Sequence, residues 1–366
     1  MYGINKFIVN QERNDYSEHL ADFDFKLDCS MGSNPYGTWP GLMVTNQVVK
    51  ELAYYPFSDE PLKEAIAEYF APMVSLKPSN ICLCCGSIGA MLTINRMVLK
   101  EGTVILGIAP QFSAVVDDFL TYGASYQPVY LKKEKQYHFD LAEFLAELDK
   151  LETAYVYIDN PNNPTGQIVS LADIEKIIQA AKTRDSFVVI DEAYGDYMSM
   201  DNSAANLIEK YDNLAVVRTF SKGFGAAGLR LGYILAQDRI VQLLNKVNVP
   251  FANNSLANDC ALQLLASNWV QQTKERVLVA KQTLCNGGLK VIKMASTAQS
   301  TPISLLYCDD EGIDLCQVLE QTGLRAITGA GYEGIGQNSV RLNVHEDMPL
   351  LMECLRNAEM IINKQS

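Results

Sequence analysis

The chain predicts an α/β fold arranged in two units, and three observations carry that reading. Short, continuously apolar runs recur through its first two thirds: Ile81–Cys85, Val104–Gly107, Ala154–Asp159, Phe187–Ile190, Leu214–Val217 and Leu231–Ala236. Each has strand length and lacks the polar alternation of a half-exposed strand, so each reads as buried on both faces. Helix-period runs lie between them, among them Pro61–Phe70, residues 139–151 and Leu171–Arg184. Finally, 366 residues at 48% hydrophobic content can bury a large core, and that length suggests two domains. From about Asn253 the pattern changes to helices and then a smaller αβ unit, with strand-like runs at Leu305–Tyr307 and Val340–Val344.

Composition narrows the partners. A net charge of −13 and a pI of 4.8 argue against nucleic acid or an anionic membrane as a partner and mildly suit cationic small molecules. The first twenty residues, MYGINKFIVNQERNDYSEHL, contain no apolar targeting core, and no run is long enough to span a bilayer. A cytoplasmic protein is expected. Nine cysteines in a chain of this length read as reduced thiols rather than a disulfide framework. Cys82, Cys84 and Cys85 cluster, but on a strand with no histidine nearby; His19, His138 and His345 are isolated, so no metal site is expected.

In chain order, residues 1–25 are polar and mixed. Leu27–Met31 reads as a strand entering a turn at Gly32-Ser33-Asn34-Pro35-Tyr36-Gly37. Ile81–Cys85 passes through Gly86-Ser87-Ile88-Gly89 into an apolar helix. Free backbone N–H groups at that helix N-terminus suit a phosphate. The Val104–Gly107 run ends at Ala109-Pro110-Gln111-Phe112; beyond it, Asp117 and Asp118 read either as surface acids or as a lining for a cationic substrate. Ala154–Asp159 leads into the tight loop Asn160-Pro161-Asn162-Asn163-Pro164-Thr165-Gly166. Phe187–Ile190 ends in Asp191-Glu192-Ala193-Tyr194. An acid at the carboxyl end of a strand stands where ligands bind in open α/β sheets, although it can also serve as a helix cap.

Between the Leu214–Val217 and Leu231–Ala236 strands lies a glycine-dense loop holding Lys222 and Arg230. A lysine among small and apolar residues is drawn into a crowded site. Desolvation there lowers the amine pKa and leaves it nucleophilic, able to form a Schiff base with a carbonyl. Gly223, Gly225 and Gly228 spell a GxGxxG, but the dinucleotide reading needs a helix directly after and an acid about 20 residues on. A strand-like run follows instead, and no acid stands at that distance.

The loop SKGFGAAGLRLGY resembles the cofactor-lysine loop of fold-type-I pyridoxal-phosphate (PLP) enzymes, and is most similar to the histidinol-phosphate aminotransferase-like branch of the class I/II aminotransferases. Asn163, Asp191, Lys222 and Arg230 stand in that family's order. The resemblance covers nearly the whole chain, best between residues 30 and 235. It implies a large PLP-binding domain over residues 46–250, with a mostly parallel seven-stranded sheet between helices, and a small α+β domain from residues 1–45 and 251–366. It implies Ser87, Ile88, Thr219, Ser221 and Arg230 around the phosphate, Phe112 on the ring face, Asn163 and Tyr194 at the 3′-oxygen and Asp191 at the ring nitrogen. Lys222 would be the Schiff-base lysine and proton-moving base, with Lys222, Asp191 and Tyr194 as the catalytic set. Arg341 would clamp the substrate α-carboxylate, with Asn34, Tyr36 and Asn163 on the substrate side. Tyr55 would cross to the neighbouring site of a homodimer.

One departure matters. Histidinol-phosphate enzymes usually carry a second arginine about a dozen residues before the clamp, used on the substrate phosphate. Thr328 stands at that place here, and Arg325 is out of phase. A cationic or other amino acid is therefore as open as a histidinol-phosphate-like one. The expected activity is transamination between an amino acid and a 2-oxo acid. The same site can run amino-acid decarboxylation or arginine-type oxidation. A non-catalytic PLP-binding protein would have no need to keep the lysine and both arginines. The polar N-terminal segment fits either a substrate-ordered lid or a dimer arm.

Overall fold

The apolar runs assemble into one seven-stranded sheet: β1 Ile81–Cys84, β2 Val104–Ala109, β3 Ser125–Tyr130, β4 Tyr155–Asp159, β5 Phe187–Asp191, β6 Leu214–Thr219 and β7 Gly232–Ala236. The computed structural model describes residues 2–9, 11 and 25–365; His19 and residues 12–24 of the polar N-terminal segment lie outside them. The strand order is β1-β7-β6-β5-β4-β2-β3. β7 runs antiparallel to both neighbours, and every other pairing is parallel. Parallel strands need crossovers that cover both faces of a sheet, and successive residues of these strands feed opposite cores. Leu106, Ile108, Val156, Ile158, Val188 and Ile190 face one side; Ile105, Tyr155, Tyr157, Val189, Ala215 and Val217 face the other. β3 escaped the sequence reading because it is an edge strand with mostly exposed or half-exposed residues, a place where its Pro128 costs no ladder bond.

A second sheet is antiparallel, ordered β10-β11-β9-β8 from β8 Lys293–Met294, β9 Ile303–Tyr307, β10 Ile327–Thr328 and β11 Ser339–Asn343. Its core is built from residues such as Val277, Leu306, Val340, Leu342, Leu351 and Leu355. Leu27–Asp28 pairs in parallel with Leu324–Arg325, which fastens the chain around residue 30 to this C-terminal unit. Helix Ser255–Ala266 instead gives Ala257, Ala261 and Leu264 to the first core, together with Leu62 and Ile66 of helix Glu60–Phe70. Residues 2–9 lie on the large unit: Asn5 donates to Thr121 O, Lys6 pairs with Glu101, and the Phe7 ring covers Gly123. All nine cysteines are free. Among the described residues, no helix is long and apolar enough to cross a membrane.

Candidate active site

The carboxyl ends of β4, β5 and β6 open onto a cavity of about 180 Å³. The N-terminus of α1, Gly86–Val98, closes one side, and Arg341 on β11 reaches in from the second unit. Lys222 lies in the loop after β6, its Nζ 5.1 Å from the centre of the Tyr194 ring. Burial brings its amine down to about 7; Arg341 and Arg230 push the same way, and Asp191 opposes them.

Asp191 ends β5 and lines the same cavity. Its Oδ2 accepts from Tyr157 Oη at 3.0 Å and its Oδ1 from Ala193 N at 2.9 Å. Burial nevertheless raises its pKa. Asn163 follows the cis Asn160–Pro161 bond and lines the cavity; its Oδ1 lies 3.4 Å from both Tyr332 Oη and Arg341 Nη1. Tyr194 donates its hydroxyl to Gly32 O at 3.0 Å. Gly32 must be glycine, because a Cβ there would fall 2.2 Å from that hydroxyl and 3.3 Å from Lys222 Nζ. Phe112 and Ser221 also line the cavity.

Helix α1 begins without a side-chain cap: Cys85 at its N-cap makes no such bond. The first-turn N–H groups of Ser87 and Ile88, both on the cavity wall, have no partner within the helix. Arg230 stands against this turn, its Nη2 2.7 Å from where a Cβ on Gly86 would be. Gly86 also has a φ of +70°, a conformation that glycine adopts at little cost.

Some expected residues lie elsewhere. Thr219 does not line the cavity; its hydroxyl bonds Leu231 O and Ser221 Oγ, so it supports the loop from beneath. Asn34 is buried, but its amide donates to Gly223 O at 2.8 Å and its Oδ1 takes the Tyr36 N–H. The Tyr36 ring lies under Arg276, 3.6 Å from the guanidinium carbon. Both therefore fasten the N-terminal loop beside Lys222 instead of lining its cavity. Asp117 and Asp118 are off the cavity wall too, and Asp118 takes the Asn95 amide at 2.6 Å. Tyr55 is 72% exposed, stacked on Phe251 at 4.4 Å, and away from this chain's own cavity.

The structure adds residues the sequence reading left out. Asp159 ends β4 and lines the cavity beside Asp191, and the logic that singled out Asp191 at a strand end applies to it equally. Tyr157 reaches Asp191, and Tyr332 reaches Asn163, from positions that no local pattern connects. Behind the cavity, Arg218 bonds Glu192 at 2.9 Å and Asp196 at 2.6 Å, all three fully buried. Burial pulls the Arg218 pKa down, but Asp196, Tyr233 and Glu192 hold it above its ordinary value.

PLP asks three things of a protein: an amine for its aldehyde, an acid for its ring nitrogen and donors for its phosphate. The partly deprotonated Lys222, the buried Asp191 and the uncapped α1 turn with Arg230 supply them around one cavity, and the glycines at positions 32 and 86 leave the space. The site fits that cofactor, and with this sheet it defines a PLP-dependent enzyme of fold type I. The family model for aminotransferase class I and II matches residues 43–354, and the chain belongs to that family; it is a PLP-dependent aminotransferase, acting on an amino acid and a 2-oxo acid. It is 32% identical to the histidinol-phosphate aminotransferase of Thermoanaerobacter pseudethanolicus over 285 residues, 75% of this chain and 78% of that protein. It is 30% identical to the enzyme of the same description from Methanococcus aeolicus over 319 residues, 85% and 83% of the two chains. Two solved structures share the fold. The histidinol-phosphate aminotransferase of Sinorhizobium meliloti in complex with pyridoxal-5′-phosphate aligns with a TM-score of 0.78 at 19% identity, covering 93% of this chain and 92% of that one. An aspartate aminotransferase from Rhodobacter sphaeroides aligns with a TM-score of 0.81 at 17% identity, covering 92% and 93%.

Proposed function

We propose that this aminotransferase takes its amino group from an unphosphorylated amino acid whose α-carboxylate is held by Arg341. The observation that carries this is the state of Arg341. Its guanidinium is buried in the cavity that holds Lys222, one Nη on Ser30 O and the other near Asn163, while its Nε has no hydrogen-bond partner. A planar cation on the wall of that cavity suits a carboxylate. A phosphate dianion lacks a second cation at the place resemblance points to. Thr328 stands there and accepts from Ala330 N, and Arg325 lies 3.7 Å from Asp28.

When bound, PLP supplies the electron sink for the charge left at the substrate's Cα. Ser87, Ile88, Ser221 and Arg230 would hold its phosphate, Phe112 its ring face, and Asn163 and Tyr194 its 3′-oxygen. Asp191 keeps a proton at the ring nitrogen. Lys222 Nζ, near neutrality in its own titration, takes the proton from Cα as a general base. On this reading residues 46–250 form the cofactor-binding domain, with helix Ser255–Ala266 and residues 2–9 packed on it, and the chain around residue 30 joins the rest of the C-terminal region in the domain that carries Arg341, in a cytoplasmic enzyme. A homodimer completes it: Tyr54, Tyr55, Phe57, Val249 and Phe251 are large exposed apolar side chains, and Tyr55 does not line its own cavity, which leaves it available to a neighbour's.

The test is a panel of amino acids and histidinol phosphate given to the holoenzyme with and without 2-oxoglutarate, following oxo acid, CO₂ and O₂. Expected are acceptor-dependent turnover of an unphosphorylated amino acid, at least tenfold better kcat/KM for it than for histidinol phosphate, and no turnover in Lys222→Ala. Preference for histidinol phosphate overturns the substrate proposal; oxygen uptake without an acceptor overturns the reaction.

A further inference from the structure

The cavity holds a second buried acid that the mechanism above leaves unused. Asp159 and Asp191 are register partners on adjacent parallel strands, β4 and β5. Paired positions on neighbouring strands lie about 4.8 Å apart and point to the same face, and both carboxyl groups line the cavity. Asp159 is 4% exposed. Its Oδ2 accepts the backbone N–H of Asn163 at 2.8 Å and its Oδ1 accepts Asn162 Nδ2 at 2.8 Å. These two bonds fix the turn that presents Asn163 to the cavity. They leave further lone pairs on the carboxylate, and no ion pair to a lysine or arginine answers its charge among the described residues. A buried anion met only by N–H groups is costly unless a cation joins it.

Resting on the PLP reading of this site, we propose that Asp159 is a second anionic group of the cofactor site, a positioning residue that holds Asn163 and whose charge keeps a proton on the Lys222 nitrogen in the cofactor-loaded enzyme. The titratable and charged groups around it are Tyr126 on β3, Tyr157 on β4, Asp191 on β5, Tyr194 after β5 and Tyr332 from the second unit, with Lys222 and Arg341 on the same cavity wall. Burial raises each of these phenols above its ordinary range, so none of them titrates near neutrality. Burial also pushes the Asp159 carboxyl itself up to about 7, against the pull of Asn163 and Asn162 and with Asp191 adding to the rise. A positive charge on the Lys222 nitrogen and a negative charge on Asp159 therefore favour each other.

The test reads the visible absorption of the holoenzyme against pH, which follows the proton on the cofactor-bound lysine nitrogen without turnover. Asp159→Asn keeps an acceptor for the Asn163 N–H but removes the charge; Asp159→Ser also removes the charge and serves if the first variant folds poorly. Both are expected to lower the midpoint by one pH unit or more and to weaken PLP binding. A folded variant titrating within 0.2 units of the wild type overturns the proposal. A wild-type protein with no Lys222-dependent visible band overturns the underlying site reading together with it, and Lys222→Ala distinguishes the two cases.

Discussion

At pH 7 an ordinary lysine, with its pKa of 10.5, is neutral in about one molecule in 3,000. Lys222, brought down to about 7, is neutral in about half, a nucleophile roughly a thousandfold more abundant. The prediction concerns protein stripped of PLP. A short pulse of trace acetic anhydride, repeated from pH 5 to 11 and followed by digestion and mass spectrometry, reports the neutral fraction of each lysine. Lys222 should reach half its maximal labelling near pH 7, more than three pH units below an ordinary lysine. The causes can be separated. Burial is the largest, so unfolding the protein in denaturant should return Lys222 to the exposed pattern. Arg341→Met removes a neighbouring cation and should raise the midpoint, whereas Asp191→Asn removes an anion that favours the charged amine and should lower it. A linked sign follows for stability. The unfolded chain binds a proton at Lys222 that the folded chain releases, so this group makes the cofactor-free protein more stable as pH rises from about 7 towards 10.5. A midpoint above 9 for Lys222 in the folded protein would refute the reasoning.

Two further outcomes are expected. Arg218→Met strands Glu192 and Asp196 as unpaired buried acids, a loss of about 3–5 kcal/mol and, in a chain of this size, a melting point lower by roughly 4–7 °C; adding Glu192→Gln and Asp196→Asn should restore most of it, and an unchanged melting curve for the single variant contradicts the buried triad. Arg341→Ala should raise KM for the amino donor at least tenfold with a smaller change in kcat, because the clamp holds ground state and transition state alike; steady-state kinetics with an unchanged KM would remove Arg341 from the substrate.

The parts of the fold that the sequence displayed are those whose environment is uniform. β4 and β6 are buried at every residue, so their runs stay apolar whichever face a residue meets, and they stand out. β3 meets solvent along the sheet edge, and its Ser125, Gln127 and Pro128 blur the pattern. Lys222, Asn163 and Arg230 were legible because each lies in a short loop whose local wording carries the chemistry, and Asp191 because it ends β5, where ligands bind in open α/β sheets. Thr219 shares that wording, yet its hydroxyl turns from the last position of β6 to Leu231 O, just before β7. Asn34 was expected on the substrate, but its partner at Gly223, 189 residues away, is invisible until the chain is folded. The same holds for Tyr332 against Asn163 and for Tyr157 against Asp191: each contact joins strands or units that the sequence lists far apart.

Arg218 shows why such hidden contacts matter to the chemistry. It lies on β6 just before the Lys222 loop, and Glu192 directly follows Asp191 at the end of β5. Asp196 sits against Gly223, where a Cβ would fall 2.3 Å from its own Cβ, and a Cβ on Gly195 would fall 2.3 Å from Arg218 Nη1. The ion triad thus grips the segment carrying the acid and the segment carrying the amine at once. β5 and β6 are already paired through Asp191 and Val217, but strand pairing ends there, and the loop beyond it is rich in glycine and has few conformational restraints of its own. A buried ion cluster is a weak source of net stability compared with an apolar core of the same volume. Its directional bonds can instead fix one arrangement of a flexible loop, which apolar packing against four glycines, Gly195, Gly223, Gly225 and Gly228, would do poorly. The Lys222 loop is therefore held against the end of β5 from behind the cavity, by side chains that line none of it.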